Sequence, residues 1–219
     1  MMDADLAMRR FLDRRDAGRQ LAAQLLPRAF ERPVVLGLPR GGVPVGYEVA
    51  RALAAPLDVL LVGKLGVPWQ PELALGAVGE QGVRVLNDDV LAGTRLSPDE
   101  VDTLELGERQ VLAERARSLA GVRHPVELAG CSAVIVDDGI ATGATMRAAC
   151  QIARAREAAR VIVAVPVAPA DCLPMFRTVA DDFVCVSVVR SRRFFGVGQF
   201  YVDFAATTDD EVARLLART

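Results

Sequence analysis

The chain has 219 residues, a formal net charge of -2, and hydrophobic and charged shares of 52% and 25%. This describes one soluble globular domain with a sizeable core, and gives no general electrostatic case for nucleic acid or an acidic membrane surface as partner. No apolar run reaches the roughly 18 residues of a transmembrane helix, and MMDADLAMRRFLDRRDAG lacks the apolar stretch of a signal peptide, so the cytoplasm is the expected location.

In chain order, residues 15–27 read as an amphipathic helix with Leu21, Ala22, Leu25 and Leu26 on one face and Pro27 at its end. PVVLGLPRGGVPVG opens with a short apolar run, Val34 to Leu36, typical of a strand covered on both faces. The loop LPRGG and a helix over 43–53 follow. PLDVLLVGKLG predicts a second buried strand, 57–62, with Lys64 at its end. The Gly- and Pro-rich stretch after it reads as a long loop flanking one or two short strands.

Residues 98–120 are a helix: Ser97 caps it, Pro98 takes its first position, Glu100 completes an S-x-x-E box and Gly121 stops it. Within it, Glu105 and Arg109 are spaced as an i,i+4 ion pair, and core packing or a dimer contact is its expected role. VIVDDGIATGATM supplies a strand at 134–136 and a helix over 144–158. RVIVAVPVA is a strand, 171–179 a helix, DFVCVSVV a strand, FFGVGQFYVDF an aromatic loop or hairpin, and 209–217 a closing helix. Strands alternating with helices, apolar on both faces, predict a doubly wound, mainly parallel α/β sheet of about five core strands.

Cys131, Cys150, Cys172 and Cys185 form no CxxC pair and read as small buried hydrophobes rather than a zinc site. The single His124 excludes a multi-histidine metal centre, and no GxSxG elbow accompanies it.

Arg40, Lys64 and the pair Asp137/Asp138 each follow a different predicted strand. Ligands of open α/β sheets bind outside the carboxyl ends of the strands, so this convergence marks a candidate site. Gly139, Ala141, Thr142, Gly143, Ala144 and Thr145 carry little side-chain bulk and open a helix, where backbone N–H groups and the helix dipole favour phosphate. The GxxxxGK[ST] spacing of a nucleoside-triphosphate loop is absent. Ionised Asp137 and Asp138 accept hydrogen bonds of the kind a vicinal diol donates, so a ribose 5-phosphate unit satisfies both halves of the motif. The plainer alternatives are a helix cap with a solvated acid beside it and an ordinary tight turn.

VIVDDGIATGATM resembles the phosphoribosyl pyrophosphate (PRPP) signature of the type I phosphoribosyltransferases, and the order of the other loops extends the resemblance over most of the chain. Within the family the chain is similar to a bacterial group whose substrate is not named. The resemblance implies a single domain over 1–219, a helical insertion at 87–123, and a small hood from parts of 1–30 and 190–206. It implies that Arg40, Gly41 and Gly42 bind pyrophosphate in a loop that often holds a non-proline cis peptide, where glycines permit close approach, a helix-entry turn with a solvated Arg being the alternative. It implies that Lys64 sets a cation against pyrophosphate, a solvated loop lysine being the alternative. Residues 66–82 match the position of the family's flexible loop, though Glu72 and Glu80 make it less basic than in many relatives.

The implied reaction is transfer of the 5-phosphoribosyl group of PRPP to a nitrogen of a nucleobase-like acceptor, with release of pyrophosphate. Asp137 and Asp138 would orient the ribose and reach Mg²⁺ through water, PRPP itself supplying most metal ligands. Enzymes acting on 6-oxopurines usually carry an Asp where Ala141 stands; Ala141 resembles the adenine and uracil enzymes instead. Phe195, Val197, Gly198 and Tyr201 are the candidate acceptor contacts, by stacking and backbone donors, a hairpin packed on the core being the alternative. Relatives are often dimers, so a homodimer stays open. A regulator that binds PRPP without transfer is the competing reading, and retained Arg40 and Lys64 favour the enzyme. A nucleotide hydrolase would need a dedicated base that the sequence does not offer.

Overall fold

The computed structural model describes residues 10–123 and 125–218; the expectations that fall on residues 1–9 and on His124, and any statement about the Glu72 side chain, lie outside the described residues. Five parallel strands form the main sheet: β1 (Pro33–Gly37), β2 (Leu57–Val59), β6 (Ser132–Val136), β7 (Arg160–Pro169) and β8 (Asp182–Val189), in the order β2-β1-β6-β7-β8. β1 is bonded to β2 on one side, with Val35 opposite Leu57, and to β6 on the other, with Val35 opposite Val134.

Every residue of β6 is buried, as is β7 beyond its first residue, because helices cover both faces. Val35, Val134, Val136 and Ile162 point to one core, filled by α1 (Arg14–Leu25), α2 (Gly42–Leu53) and α6 (Asp209–Leu216). Their neighbours Val34, Leu36, Ile135 and Val163 point to the other, filled by α5 (Ala144–Ala155). This is the α/β architecture expected from the continuous apolar runs. The order reverses between β1 and β6, and that switch point places a crevice where these two strands end.

Three antiparallel strands form a second sheet: β3 (Val62–Val67), β4 (Gln70–Gly79) and β5 (Arg84–Leu86). This corrects two expectations. The single strand over 57–62 is two pieces: β2 stops at Val59, and β3 starts at Val62 in the other sheet. Leu60 and Leu61 between them are as buried as strand residues, so an apolar run could not reveal the break. Lys64 therefore lies inside β3, opposite Ala77, not in a loop at the end of a parallel strand. The long loop after it is mostly β4. Its glycines are strand positions under close contact: a Cβ at Gly76 would stand 2.2 Å from the carbonyl oxygen of Val85.

α3 (Asp88–Gly93) and α4 (Pro98–Leu119) pack beside this second sheet. α4 begins as predicted: Ser97 N donates to Glu100 Oε2 at 2.8 Å and Glu100 N to Ser97 Oγ at 3.3 Å. Glu105 accepts from Arg109 Nε at 2.7 Å, and the same guanidinium donates to the carbonyls of Gly79, Gly82 and Val83. The helix expected over 171–179 is a short 3-10 segment, Ala170–Phe176, because Pro174 lacks the N–H that α-helix propagation requires. All four cysteines are free, and burial pushes the thiols of Cys150 and Cys185 up to about 12. No helix among the described residues is long and apolar enough to cross a membrane.

Candidate active site

β6 ends at Val136, which sets Asp137 and Asp138 at the carboxyl end of the strand beside the switch point. The LPRGG loop leaves β1 beside it, tied by a hydrogen bond from Leu38 N to Val136 O at 2.8 Å and closed by one from Gly42 N to Leu38 O at 2.9 Å. The Pro39–Arg40 peptide is cis. A Cβ at Gly41 would lie 2.1 Å from Asp138 Oδ2, and one at Gly42 would lie 2.4 Å from Val136 O. The two glycines are thus what allow this loop to touch the acid pair. Gly41 and Gly42 meet the strand end that carries Asp137 and Asp138, the exposed Arg40 side chain turns to Asp209, and Lys64 belongs to the other sheet.

The small-residue loop continues from the acids. Ile140 is buried and donates from its N–H to Val167 O at 2.9 Å, which anchors the loop to β7. Gly143 is the N-cap of α5, with φ +82° and Met175 and Phe176 packed against it, so no other residue suits the position. α5 has no side-chain cap bond, and Ala141, Thr142 and Thr145 are exposed at its start. The opening amides of this helix therefore face outward without a side-chain acceptor. Arg147, in the same first turn, keeps a buried Nε with no partner.

Asp138 is held from two sides by residues that sequence reasoning did not single out or assigned elsewhere. Arg14 Nε donates to its Oδ2 at 2.8 Å, while Arg14 Nη1 donates to Ala205 O at 2.7 Å and the guanidinium lies 4.0 Å from the centre of the Phe204 ring. Tyr201 OH donates to the backbone carbonyl of Asp138 at 2.5 Å. The rings of Phe11 and Tyr201 pack with centres 5.4 Å apart, and Phe11 N donates to Phe200 O at 2.8 Å, so the two segments expected to form a hood are stitched together over the acids. Burial pushes the Asp137 carboxyl well above the usual carboxylate range, and the neighbouring charge of Asp138 adds to the shift. Burial also raises Asp138, with the Arg14 hydrogen bond opposing it.

Two cavities flank this centre. One, of about 290 Å³, lies beside the small-residue loop and is lined by Ala141, Thr142, Pro169, Asp171, Ser191 and Phe194, among others. Ser191 Oγ is buried there without a partner. The four residues expected to contact an acceptor do not line it: Tyr201 is buried in the core, Val197 packs on Gly139, Gly198 packs on Phe204, and Phe195 is 90% exposed. The aromatic of that segment facing the cavity is Phe194, one position away from the residue expected. The other cavity, of about 510 Å³, opens on Pro39 and Arg40 and is walled by Leu61, Arg115, Ser118, Leu119 and Asp209. Arg40 Nη1 lies 3.7 Å from Asp209 Oδ2. No group of three or more metal-ligating side chains occurs among the described residues.

A parallel sheet whose switch point carries an acid pair, a glycine loop and a small-residue helix start defines the class: an α/β protein with a polar crevice at the carboxyl ends of its strands. The chain belongs to the phosphoribosyl transferase family, whose domain model matches residues 11–204. It is 54% identical over 211 residues to the "Putative phosphoribosyl transferase Rv0571c" of Mycobacterium tuberculosis H37Rv, covering 96% of this chain and 47% of that protein. A counterpart from M. tuberculosis CDC 1551 matches to the same extent. The chain thus spans about half the length of the curated relatives it matches. Its fold superposes on the crystal structure of TT1426 from Thermus thermophilus with a TM-score of 0.89 and 44% identity, covering 95% of this chain and 98% of that one.

Proposed function

We propose that the protein transfers the 5-phosphoribosyl group of PRPP to a nitrogen of a nucleobase-like acceptor and releases pyrophosphate. The observation that supports this best is the contact between Gly41 and Asp138 Oδ2, which joins a pyrophosphate-type loop to a ribose-type acid pair at the switch point. In this reading Asp137 and Asp138 accept from the ribose hydroxyls, and the backbone from Gly139 to Thr145 receives the 5′-phosphate. Arg40, Gly41 and Gly42 receive the pyrophosphate. Lys64, though moved into β3, stays a proposed contributor on the pyrophosphate side. The acceptor occupies the cavity between Ala141 and Phe194.

The acceptor nitrogen bonds to C1 of the ribose as the C1–O bond to pyrophosphate breaks, through a transition state with oxocarbenium character. The crevice contributes by holding the reactants in line and by setting fixed charges at both ends of the developing dipole: carboxylates near the ribose, amides and Arg40 near the leaving group. Mg²⁺ suits the oxygen donors present: with no protein cage among the described residues, Asp137 and Asp138 would meet through water an ion held mainly by PRPP oxygens. When bound it would supply Lewis-acid stabilisation of the leaving group. The carboxylate missing at Ala141 favours acceptors that need no base at that point, adenine- or uracil-like rather than 6-oxopurine. Reaction in the cytoplasm and a homodimeric assembly complete the reading.

The test is pyrophosphate release from PRPP and Mg²⁺ over a panel of nucleobases. Release with one of them is the expected result. Tight PRPP binding with no release on any acceptor would instead favour a non-catalytic regulator.

A further inference from the structure

We propose that helix α4 supplies the leaving-group cation that the segment 66–82 does not: Arg115, with Ser118 one turn on, is a pyrophosphate ligand facing Arg40 across the 510 Å³ cavity. This rests on the PRPP reading of the crevice.

One requirement and two observations lead to it. A diphosphate leaving group is stabilised by positive charge placed around it. Residues 66–82 contain no Lys or Arg, and the positions from 70 to 79 are all committed to β4, which pairs with β3 and β5. The helix that packs over that sheet does present cations. Of the α4 arginines, Arg109 is engaged with Glu105 and three carbonyls, and Arg117 Nε donates to Ala113 O at 3.2 Å. Arg115 is exposed, lines the cavity with Pro39 and Arg40, and makes no side-chain hydrogen bond or ion pair among the described residues. Its fork of donors matches a phosphate in two places at once.

The rest of the lining agrees with a small, highly polar occupant at that end. Leu61, Leu119 and Val212 are nearly fully buried and form the floor, while the polar groups stand at the rim. Ser118 Oγ, now donating to Arg115 O at 2.8 Å, keeps lone pairs free and can rotate its proton to an anion. Two carboxylates share the rim: Asp209, which holds Arg40 at 3.7 Å, and Glu114 beside Arg115. With the ligand present, Arg40 turns from Asp209 to the diphosphate, and the two arginines close on it from opposite walls. In this arrangement the segment at 87–123 completes the site.

Calorimetric titration of the full chain with inorganic pyrophosphate and, separately, with ribose 5-phosphate, both with Mg²⁺, distinguishes the possibilities. Arg115→Met is expected to weaken pyrophosphate about tenfold, the loss of one charge-assisted contact at an exposed wall, and to leave ribose 5-phosphate unchanged. Arg115→Lys recovers part of the loss, and Arg117→Met, on the same helix but outside the cavity, changes neither ligand. Unchanged pyrophosphate affinity in Arg115→Met, with wild type binding both ligands, would overturn the proposal and leave α4 as a wall only. Equal weakening of both ligands would overturn it too. Wild type binding neither ligand would instead sink the PRPP reading itself.

Discussion

The parallel sheet and the antiparallel layer beside it share an apolar core but differ in the polar contacts that close them. Around β1 and β6 the loops meet through backbone hydrogen bonds and steric closeness: Leu38 N on Val136 O, and glycines at 41 and 42 where any side chain would strike the acid strand. The layer of β3, β4, β5 and α4 buries Leu65, Val78 and Leu112 in the same apolar core and adds guanidinium–carboxylate pairs to that packing. Arg84 and Arg109 both bind Glu105, at 2.8 and 2.7 Å, and Arg123 binds Asp58 and Glu80 at 2.6 and 2.5 Å. The first region tolerates almost no displacement, as a site aligned on small substrates requires. The second combines the shared apolar core with a few charged joints.

Arg123 is the strongest of those points, and breaking it gives the largest expected effect. Asp58, in β2, is 1% exposed and accepts from Arg123 Nε and Nη2 and from the N–H groups of Val59 and Val126. Removing one partner of a buried pair leaves the other charge uncompensated, so Arg123→Ala is expected to lose about 3–5 kcal/mol. Urea unfolding measures it. A loss of under about 1 kcal/mol, the range of exposed pairs, would mean that the second layer does not depend on this joint.

Gly42→Ala tests the other half of the contrast. Its Cβ would meet backbone, Val136 O at 2.4 Å and Asp137 Cα at 2.9 Å, which cannot swing away. Transfer activity is expected to fall about a hundredfold or more as the loop moves off the acids, the scale on which misplacement of this size acts. Pyrophosphate release measures it, with the melting temperature read alongside. Wild-type activity would show that the loop need not touch Asp138.

These two regions also differ in how far the sequence reveals them. The acid pair, the LPRGG loop and the Gly143 cap are local: a strand, a loop and a helix start within a short stretch, each with residue types that little else explains. The parallel sheet was legible because burial on both faces removes polar alternation from β1, β6 and β7. The break at Leu60–Leu61 was hidden for the same reason, since burial looks alike in a strand and in a crossing between sheets. Lys64 was misplaced with it. Gly66, Gly76 and Gly79 looked like loop punctuation because a glycine required by close packing reads the same as one required by a turn. Arg14 was invisible in another way. In RRFLDRRDAGRQ five arginines look equivalent, and only the fold brings the third of them to Asp138, a separation of 124 residues.

Arg14 joins the two kinds of fastening, being an ion pair placed inside the tight region. Its side chain is 12% exposed, and it binds Asp138, the Ala205 carbonyl and the Phe204 ring together. Arg14→Met keeps the bulk and removes the charge. PRPP affinity is expected to fall about tenfold as Asp138 loses its orientation, with Arg14→Lys giving partial recovery because Lys cannot reproduce the fork. Isothermal titration with PRPP decides it. Unchanged affinity would assign Arg14 to stapling the two chain ends only.

Asp137 gives the smallest effect, and its sign separates strain kept for function from ordinary stability. Its carboxyl titrates well above the usual carboxylate range because burial, then the charge of Asp138, disfavours the ionised form. Below the ordinary aspartate value, near ~4, both folded and unfolded chains hold the proton and folding is not penalised. As pH rises past that value the unfolded chain releases its proton first, so stability is lost progressively up to the raised native value and stays lost above it. Asn at 137 has no proton to lose. Asp137→Asn is therefore expected to be more stable than wild type at pH 8, by about 1 kcal/mol on the scale of relieved active-site strain, and to approach wild type at pH 4. PRPP affinity should fall in the same variant, since an amide accepts fewer hydrogen bonds from a diol than a carboxylate does. Denaturant midpoints at the two pH values measure the first part. A variant less stable than wild type at pH 8 would mean that Asp137 serves the fold and is not held ionised against it.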